Sequence, residues 1–303
     1  MKSFWNRLWF EPASPVNLGV CRALIFTAYL IRYLAVPLNV SEFALMSSEF
    51  WKPLPVLGFF VPPLATAFWL RAFETAWFVA LALSALGLFT RLSTALAFLL
   101  GAYLLWIPHN FGKLHHNDMI TVLVTGVLMF SRCGEAWSLD RFFENHRRKK
   151  SGRPPETVAP SGEFTWPVRL VWLALATVFF AAGVSKLRHS GLAWITSDNL
   201  ALMLIKANYM AYIDYPPLLP LGVPLGRLPW ACHIIAAATM ATELGFPLVL
   251  VSRRVRRVLV PVMFFVLIGI MLLFLPSFPE LIACFVFFVP WENLKLRSRV
   301  AAA

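Results

Sequence analysis

Lys186 closes a long apolar run that opens at Trp166, inside the stretch Ala181-Ala-Gly-Val-Ser-Lys186-Leu187, with Trp194 shortly after it. Burial disfavours the charged form of a lysine and makes a neutral amine accessible. Beside a histidine, such an amine can serve as a general base. A second polar cluster, Lys113-Leu-His115-His116-Asn117-Asp118, opens another apolar run. Two readings of Lys186 stand at this point. It is a base in a site, or it is an anchor whose ammonium reaches the head groups from a stem in lipid. By residue type, His115, His116 and Asp118 are also candidate metal ligands. Neighbouring helix positions point about 100° apart, however, and no Glu-x-x-His or His-x-x-x-His spacing is present, so no metal site is expected.

The elements that position these residues follow from composition. The chain has 303 residues, 59% of them hydrophobic and 14% charged, with mean hydropathy +0.70. In hydrocarbon every backbone polar group must be satisfied within its own segment, so the expected class is an all-α integral membrane protein. The alternating strands of a barrel are absent. The net charge of +12 sits between apolar runs, which fits the positive-inside rule rather than a nucleic-acid surface. Cys21, Cys133, Cys232 and Cys284 are scattered without a C-x-x-C pair and read as packing residues. The first apolar stretch contains Arg22 and Arg32 and no A-x-A site follows it, so it reads as a retained span.

Hydropathy places eight spans, at about 17–37, 73–90, 92–108, 114–131, 167–186, 230–251, 258–275 and 277–290. The second and third form a hairpin around Thr90-Arg91, and the last two another around Pro276-Ser277. Lys/Arg asymmetry puts both termini in the cytoplasm, together with the basic linker 133–166 and the run Ser252-Arg-Arg-Val-Arg-Arg257. The predicted location is the plasma membrane, or the inner membrane of a Gram-negative cell, with no separate soluble domain. Segments 38–72 and 187–229 are apolar, proline-rich and external. They read as interfacial pieces lying in the membrane surface or folding over the bundle mouth. Within the second, Asp198 is placed to cap a short amphipathic helix through about Asn208. This topology sets Lys186 and His115-His116 at the same outer interface.

Arg22, Arg32 and Glu243 lie within spans, where a charge needs a partner. Counting depth at about 1.5 Å per residue pairs Arg22 with Glu243 as a structural ion pair. A proton relay through the same residues is the sharper alternative. Arg32 lies nearer the outer side, where it can line the Lys186 site and hold an anionic group.

Three motifs carry a family resemblance. Ala182-Gly-Val-Ser-Lys186-Leu187 with Trp194 resembles the A-G-x-x-K-L…W motif of the vitamin K-dependent gamma-carboxylase family and its bacterial relatives, the HTTM domain proteins. His116-Asn117-Asp118, an apolar run and Trp137-Ser138-Leu139-Asp140 resemble that family's His-containing helix start and W-S-[VL]-D. Thr242-Glu243-Leu-Gly-Phe-Pro247 resembles its E-L-x-x-P span. The likeness covers roughly residues 15–295. It implies a single HTTM-like membrane domain over 1–303, with Lys186 as the base that deprotonates a reduced, vitamin K-like quinone. It also implies a helper histidine at His116, with His115 one residue out of register. Asn117, Asp118, Arg32 and Trp194 are then candidate substrate contacts.

Two departures narrow this expectation. The family's seventh-span histidine is replaced by the stretch Met263-Phe-Phe-Val-Leu-Ile-Gly269, and the luminal domain that handles a peptide substrate does not follow the last span. The expected function is thus an outward-facing lysine base acting on a quinol-like or other lipid-soluble substrate, with the bilayer as partner and a peptide substrate as a further candidate. A non-catalytic scaffold or maturation partner for another membrane or secreted protein is the alternative, with the apolar outer segments as its docking surface. A transporter is a third class, disfavoured because no span is broken at its midpoint.

Overall fold

Ser14 starts the first long helix by accepting a hydrogen bond from the backbone of Val16 at 3.3 Å, with Pro15 at the first helical position. The computed structural model describes residues 2–52, 63–112, 116–209, 219–273 and 278–294. The order of elements is α1 (Lys2–Phe10), α2 (Pro15–Ala35), α3 (Val40–Phe43), α4 (Ala67–Leu86), α5 (Thr90–Trp106), α6 (His116–Phe130) and α7 (Leu139–Lys150). It continues with α8 (Trp166–Ser190), α9 (Ala193–Thr196), α10 (Asn199–Tyr209), α11 (Gly222–Gly226), α12 (Pro229–Gly245), α13 (Arg253–Leu273) and α14 (Pro279–Ala283). The protein is all-α: among the described residues there is no strand, only a bridge between Ala13 and Ser161.

Among the described residues, six stretches are long and apolar enough to cross a membrane: Pro15–Ala35, Ala67–Leu86, Thr90–Phe111, Gly162–Ser190, Pro229–Leu250 and Arg253–Leu273. They expose large apolar side chains, with Phe68 73% and Phe265 69% accessible, as a lipid-facing surface requires. The fourth and eighth expected spans are shorter over their described residues, Asn117–Phe130 and Pro279–Phe288. At about 1.5 Å per residue neither reaches the ~30 Å of a hydrocarbon core. The hairpin expected around Pro276-Ser277 lies outside the described residues.

The chain forms two compact units, residues 1–171 with 289–303 and residues 172–288. In the first, α4 packs on α2 and α5, and α5 packs on α6. The buried stripe of α2 is Leu18, Arg22, Ile25, Phe26, Tyr29 and Tyr33, the recurrence of a helix with one buried face. Gly101 lets α4 approach α5. A Cβ there would come within 2.8 Å of the Trp77 indole nitrogen, which donates to the Ala97 carbonyl at 3.0 Å. In the second unit, Ala201, Leu204 and Cys232 form a small core of α10 and α12. The Trp172 ring stacks on Phe288 at 4.9 Å and carries the Arg256 guanidinium 4.0 Å above its face. The amphipathic helix expected from Asp198 is α10.

The turn between the second and third spans falls earlier than Thr90-Arg91. Gly87, at φ +68°, ends α4 in the left-handed conformation that a side chain resists. Asp140 then starts α5, accepting from Phe89 N at 2.8 Å, Thr90 N at 2.7 Å and Thr90 Oγ1 at 2.7 Å. Asp140 stands at the head of α7, a helix inside the segment expected to be only a linker. Ser138 caps α7, accepting from Arg141 N at 3.1 Å.

A chain of ion pairs holds α7 in place. Glu135 takes Arg132 at 2.9 Å and also Arg141; Arg141 reaches Glu156 at 3.1 Å; Arg148 joins Glu156 at 2.7 Å to Glu144 at 3.2 Å. Burial opposes ionisation of Glu135, but hydrogen bonds and charge from Arg132 and Arg141 outweigh it and hold its carboxyl below the ordinary range.

Two outcomes follow for stability. Asp140→Ala removes the cap of α5 and is expected to lower stability by about 1–2 kcal/mol, read as a fall of a few degrees in Tm in detergent. A carboxyl with a depressed folded value stabilises above its ordinary value of about 4.3 and loses that contribution as pH falls through the folded value. Melting followed from pH 6 downward is therefore expected to show an acid-side loss that is smaller in Glu135→Gln.

Candidate functional site

Lys186 is not at the end of its helix. α8 continues to Ser190, which sets the lysine one turn inside. Three residues earlier on the same face is Gly183, where an added Cβ would meet Leu244 at 3.0 Å and the Cβ of Glu243 at 3.1 Å. A glycine at this contact lets α8 and α12 approach, and the next turn delivers the amine to the carboxylate. Lys186 Nζ donates to Glu243 Oε1 at 2.5 Å and to Oε2 at 2.7 Å. The amine also lies 5.5 Å from the centre of the Trp194 ring, within cation–π range. The side chains are 21% and 9% exposed, so the pair is largely withdrawn from water.

α12 is built to end just past this carboxylate. The α-helix stops at Gly245, and Pro247 lies in the tighter turn Phe246–Leu250. Phe246 is fully buried and meets Phe179 of α8 edge-on at 4.8 Å, a second fixed contact one turn before Gly183. The lysine is thus held from three sides: by its helix, by a carboxylate on both oxygens and by an aromatic face.

The expected Arg22–Glu243 pair is corrected on both sides. Glu243 is taken by Lys186. The guanidinium of Arg22, fully buried, donates to the carbonyls of Ser84, Ala85 (3.0 Å), Cys133 (3.2 Å) and Trp137. Ser84 and Ala85 are in the last turn of α4, whose carbonyls have no partner within the helix and carry the negative end of its dipole. Matching depths along two helices says nothing about which faces meet, and here the close approach at Gly183 decides. The Trp137-Ser138-Leu139-Asp140 motif has a structural role: Trp137 feeds Arg22, Ser138 caps α7 and Asp140 caps α5.

A second polar cluster lies in the first unit. Asp118, 9% exposed in the first turn of α6, accepts from the Tyr33 hydroxyl at 3.3 Å. That hydroxyl is 3.2 Å from Thr121 Oγ1, and His109 Nε2 lies 3.7 Å from the other Asp118 oxygen. The Tyr33 ring packs against Trp77 at 4.9 Å, and Arg32 lies 5.6 Å from its centre. Asn117 is half-buried in the same turn of α6 as Asp118. His115 lies outside the described residues, as does the side chain of His116, which heads α6.

The structure therefore brings Lys186, Trp194 and Glu243 together, and separately Tyr33, His109, Asp118 and Thr121. Tyr33 was legible as a polar member of the buried stripe of α2. His109 follows Pro108 in the irregular turn Ile107–Phe111, where periodicity carries no signal. The fold and these two clusters define an all-helical protein with, among the described residues, six apolar helices of membrane length and a lysine–glutamate pair. Comparison with protein-family models, with curated proteins and with solved structures finds no match.

The ion pair makes a quantitative demand. Lys186→Met or Glu243→Gln alone leaves one buried charge unpaired and is expected to lower stability by about 3–5 kcal/mol. The double variant removes both charges and is expected to recover much of that loss. Thermal melts of the four proteins in one detergent measure the coupling, and additive losses would show that the two side chains do not interact.

Proposed function

We propose that this chain is a multi-pass plasma-membrane enzyme with about eight spans and cytoplasmic termini, in which Lys186 and Glu243 act together as a base on a quinol-like substrate. The observation that carries this reading is the amine held between both oxygens of a carboxylate and the face of Trp194. With the shared proton on the amine the pair is an ammonium and a carboxylate, and an ammonium accepts no proton. It becomes a base when its proton passes to Glu243, leaving –NH2 beside –COOH. The amine then takes the proton of a quinol hydroxyl, leaving a quinolate beside the restored ammonium. The net transfer is one proton from substrate to Glu243. Trp194 offers an aromatic surface against which a quinone ring can pack.

The resemblance to the vitamin K-dependent gamma-carboxylases supports the same lysine as base and adds His116 as helper, with His115, Arg32, Asn117 and Asp118 as further contacts. A peptide substrate belongs to this reading only as a later acceptor. The same ion pair also favours a second reading, a staple inside a non-catalytic scaffold or maturation partner. The two differ in what the lysine does, not in where it is.

The test uses the protein reconstituted in lipid with a reduced naphthoquinone. Quinol is expected to bind with quenching of tryptophan fluorescence and to be consumed in the presence of oxygen. Lys186→Met and Glu243→Gln are each expected to cut turnover per folded, reconstituted molecule at least a hundredfold, beyond any loss of yield that follows from their lower stability. Full turnover in Lys186→Met, or no quinol binding by the wild type, sinks the enzyme reading. Cysteines placed at Leu45 and Glu144 test the topology. An impermeant reagent applied to intact cells is expected to label the first and not the second.

A further inference from the structure

Helix α7 has two faces of different character. At 100° per residue, Asp140, Arg141, Glu144, Asn145 and Arg148 fall on one side. All of them are engaged with the protein. Asp140 caps α5, Arg141 and Arg148 are in the ion-pair chain with Glu144, and Asn145 accepts from the backbone of Glu156 at 3.1 Å. The other side carries Leu139, Phe142, Phe143 and His146. Phe142 is 48% and Phe143 46% exposed, and the exposed His146 ring stacks on Phe142. Arg147 and Lys149 flank this aromatic sector, Lys150 lies at its C-terminal end, and Arg153 follows it. All four are exposed, and they form no ion pair among the described residues.

An aromatic strip rimmed by unpaired cations, with its polar back fastened to the protein, is the pattern of a helix lying in a membrane surface. Its position in the chain agrees. The apolar helix α6 ends at Phe130, itself 76% exposed, and only residues 131–138 separate it from α7. Trp137 in that connection is 50% exposed, a residue type favoured at the membrane–water boundary. Water does not explain two adjacent exposed phenylalanines on a helix whose opposite face is fully engaged. The excess of four positive charges selects negative head groups over zwitterionic ones.

We propose that α7 is a membrane-surface helix whose Phe142 and Phe143 enter the leaflet interface while Arg147, Lys149, Lys150 and Arg153 bind anionic phospholipid head groups. This rests on the reading that the apolar helices insert into a bilayer. The fixed polar back gives the contact a function. Asp140 and Arg141 tie α7 to the start of α5 and to the connection after α6, so lipid held by the front of α7 seats that end of the first unit at the bilayer surface.

The experiment uses the full chain in nanodiscs of phosphatidylcholine, alone or mixed equally with phosphatidylglycerol. A solvent-sensitive fluorophore is placed through Phe143→Cys or, on the opposite face, Glu144→Cys. The four native cysteines are buried and do not compete. The label at 143 is expected to be quenched by nitroxide-bearing lipid, more strongly with phosphatidylglycerol, and the label at 144 is not. Replacing all four cations with Gln is expected to raise the phosphatidylglycerol fraction needed for half-maximal quenching about tenfold or more. Because the label removes one phenylalanine, phosphatidylglycerol retained on the unlabelled protein is also counted by mass spectrometry. It is expected to fall in the four-Gln variant. A label at 143 that iodide reaches freely in anionic discs, or a four-Gln variant that retains as much phosphatidylglycerol as the wild type, overturns the inference alone. Protein that does not enter discs at all overturns the membrane reading and this inference with it.

Discussion

A charge placed among apolar helices must bring its own solvation, and in this chain two residues show the two ways of doing so. Arg22 is solvated by carbonyl oxygens. Its planar fork reaches the last turn of α4 and the connection after α6, so one guanidinium ties α2 to two further pieces of backbone. Gly87 is part of the same device, because a Cβ there would come within 2.8 Å of Arg22 Nη1. The hairpin between α4 and α5, the cap supplied by Asp140 and the placement of α7 all depend on this buried cation. Lys186 is solvated instead by a carboxylate, which takes the amine on both oxygens.

Much of the architecture was legible because it follows from composition and period. Long apolar runs become helices when their backbone has nowhere else to bond, and six of them have the length the sequence implied. The buried stripe of α2 and the helix after Asp198 could be read from spacing alone. What could not be read were lateral relations. Glu243 and Arg22 matched in depth, but depth is one coordinate. Whether two helices share a face depends on where they can approach, and the marker for that was Gly183, a small residue one turn from the lysine. Helix α7 was missed for a different reason. Its composition is polar and basic, so hydropathy reads it as a linker, and only the 3.6-residue period separates Phe142, Phe143 and His146 from the paired ions behind them.

The motifs that suggested a family divide in the same way. Trp137-Ser138-Leu139-Asp140 does structural work at the end of the bundle, through a carbonyl, a cap and a second cap. Thr242-Glu243-Leu-Gly-Phe-Pro247 ends α12 and presents its carboxylate to Lys186. A motif that stops a helix beside a lysine and one that staples a hairpin leave similar traces in sequence. Only the partners of each side chain tell them apart.

The choice between anchor and base can be taken one step further through charge. An anchoring lysine lowers its energy by sending the ammonium toward water, yet Lys186 sits a turn inside α8 with its amine turned to α12. The Lys186–Glu243 pair is neutral as a whole, which removes the penalty of a lone charge in low dielectric. In the proposed reaction a neutral quinol meets this neutral pair. Proton transfer leaves a quinolate and a pair bearing one positive charge, in contact, so the site's total charge does not change. A lone neutral lysine would conserve charge equally well, but burial would have to hold it unprotonated between turnovers. The carboxylate avoids that requirement by storing the proton as the amine gives it up. A catalytic lysine in a membrane therefore gains from a glutamate on the facing helix, and the glycine at 183 is what lets the two meet.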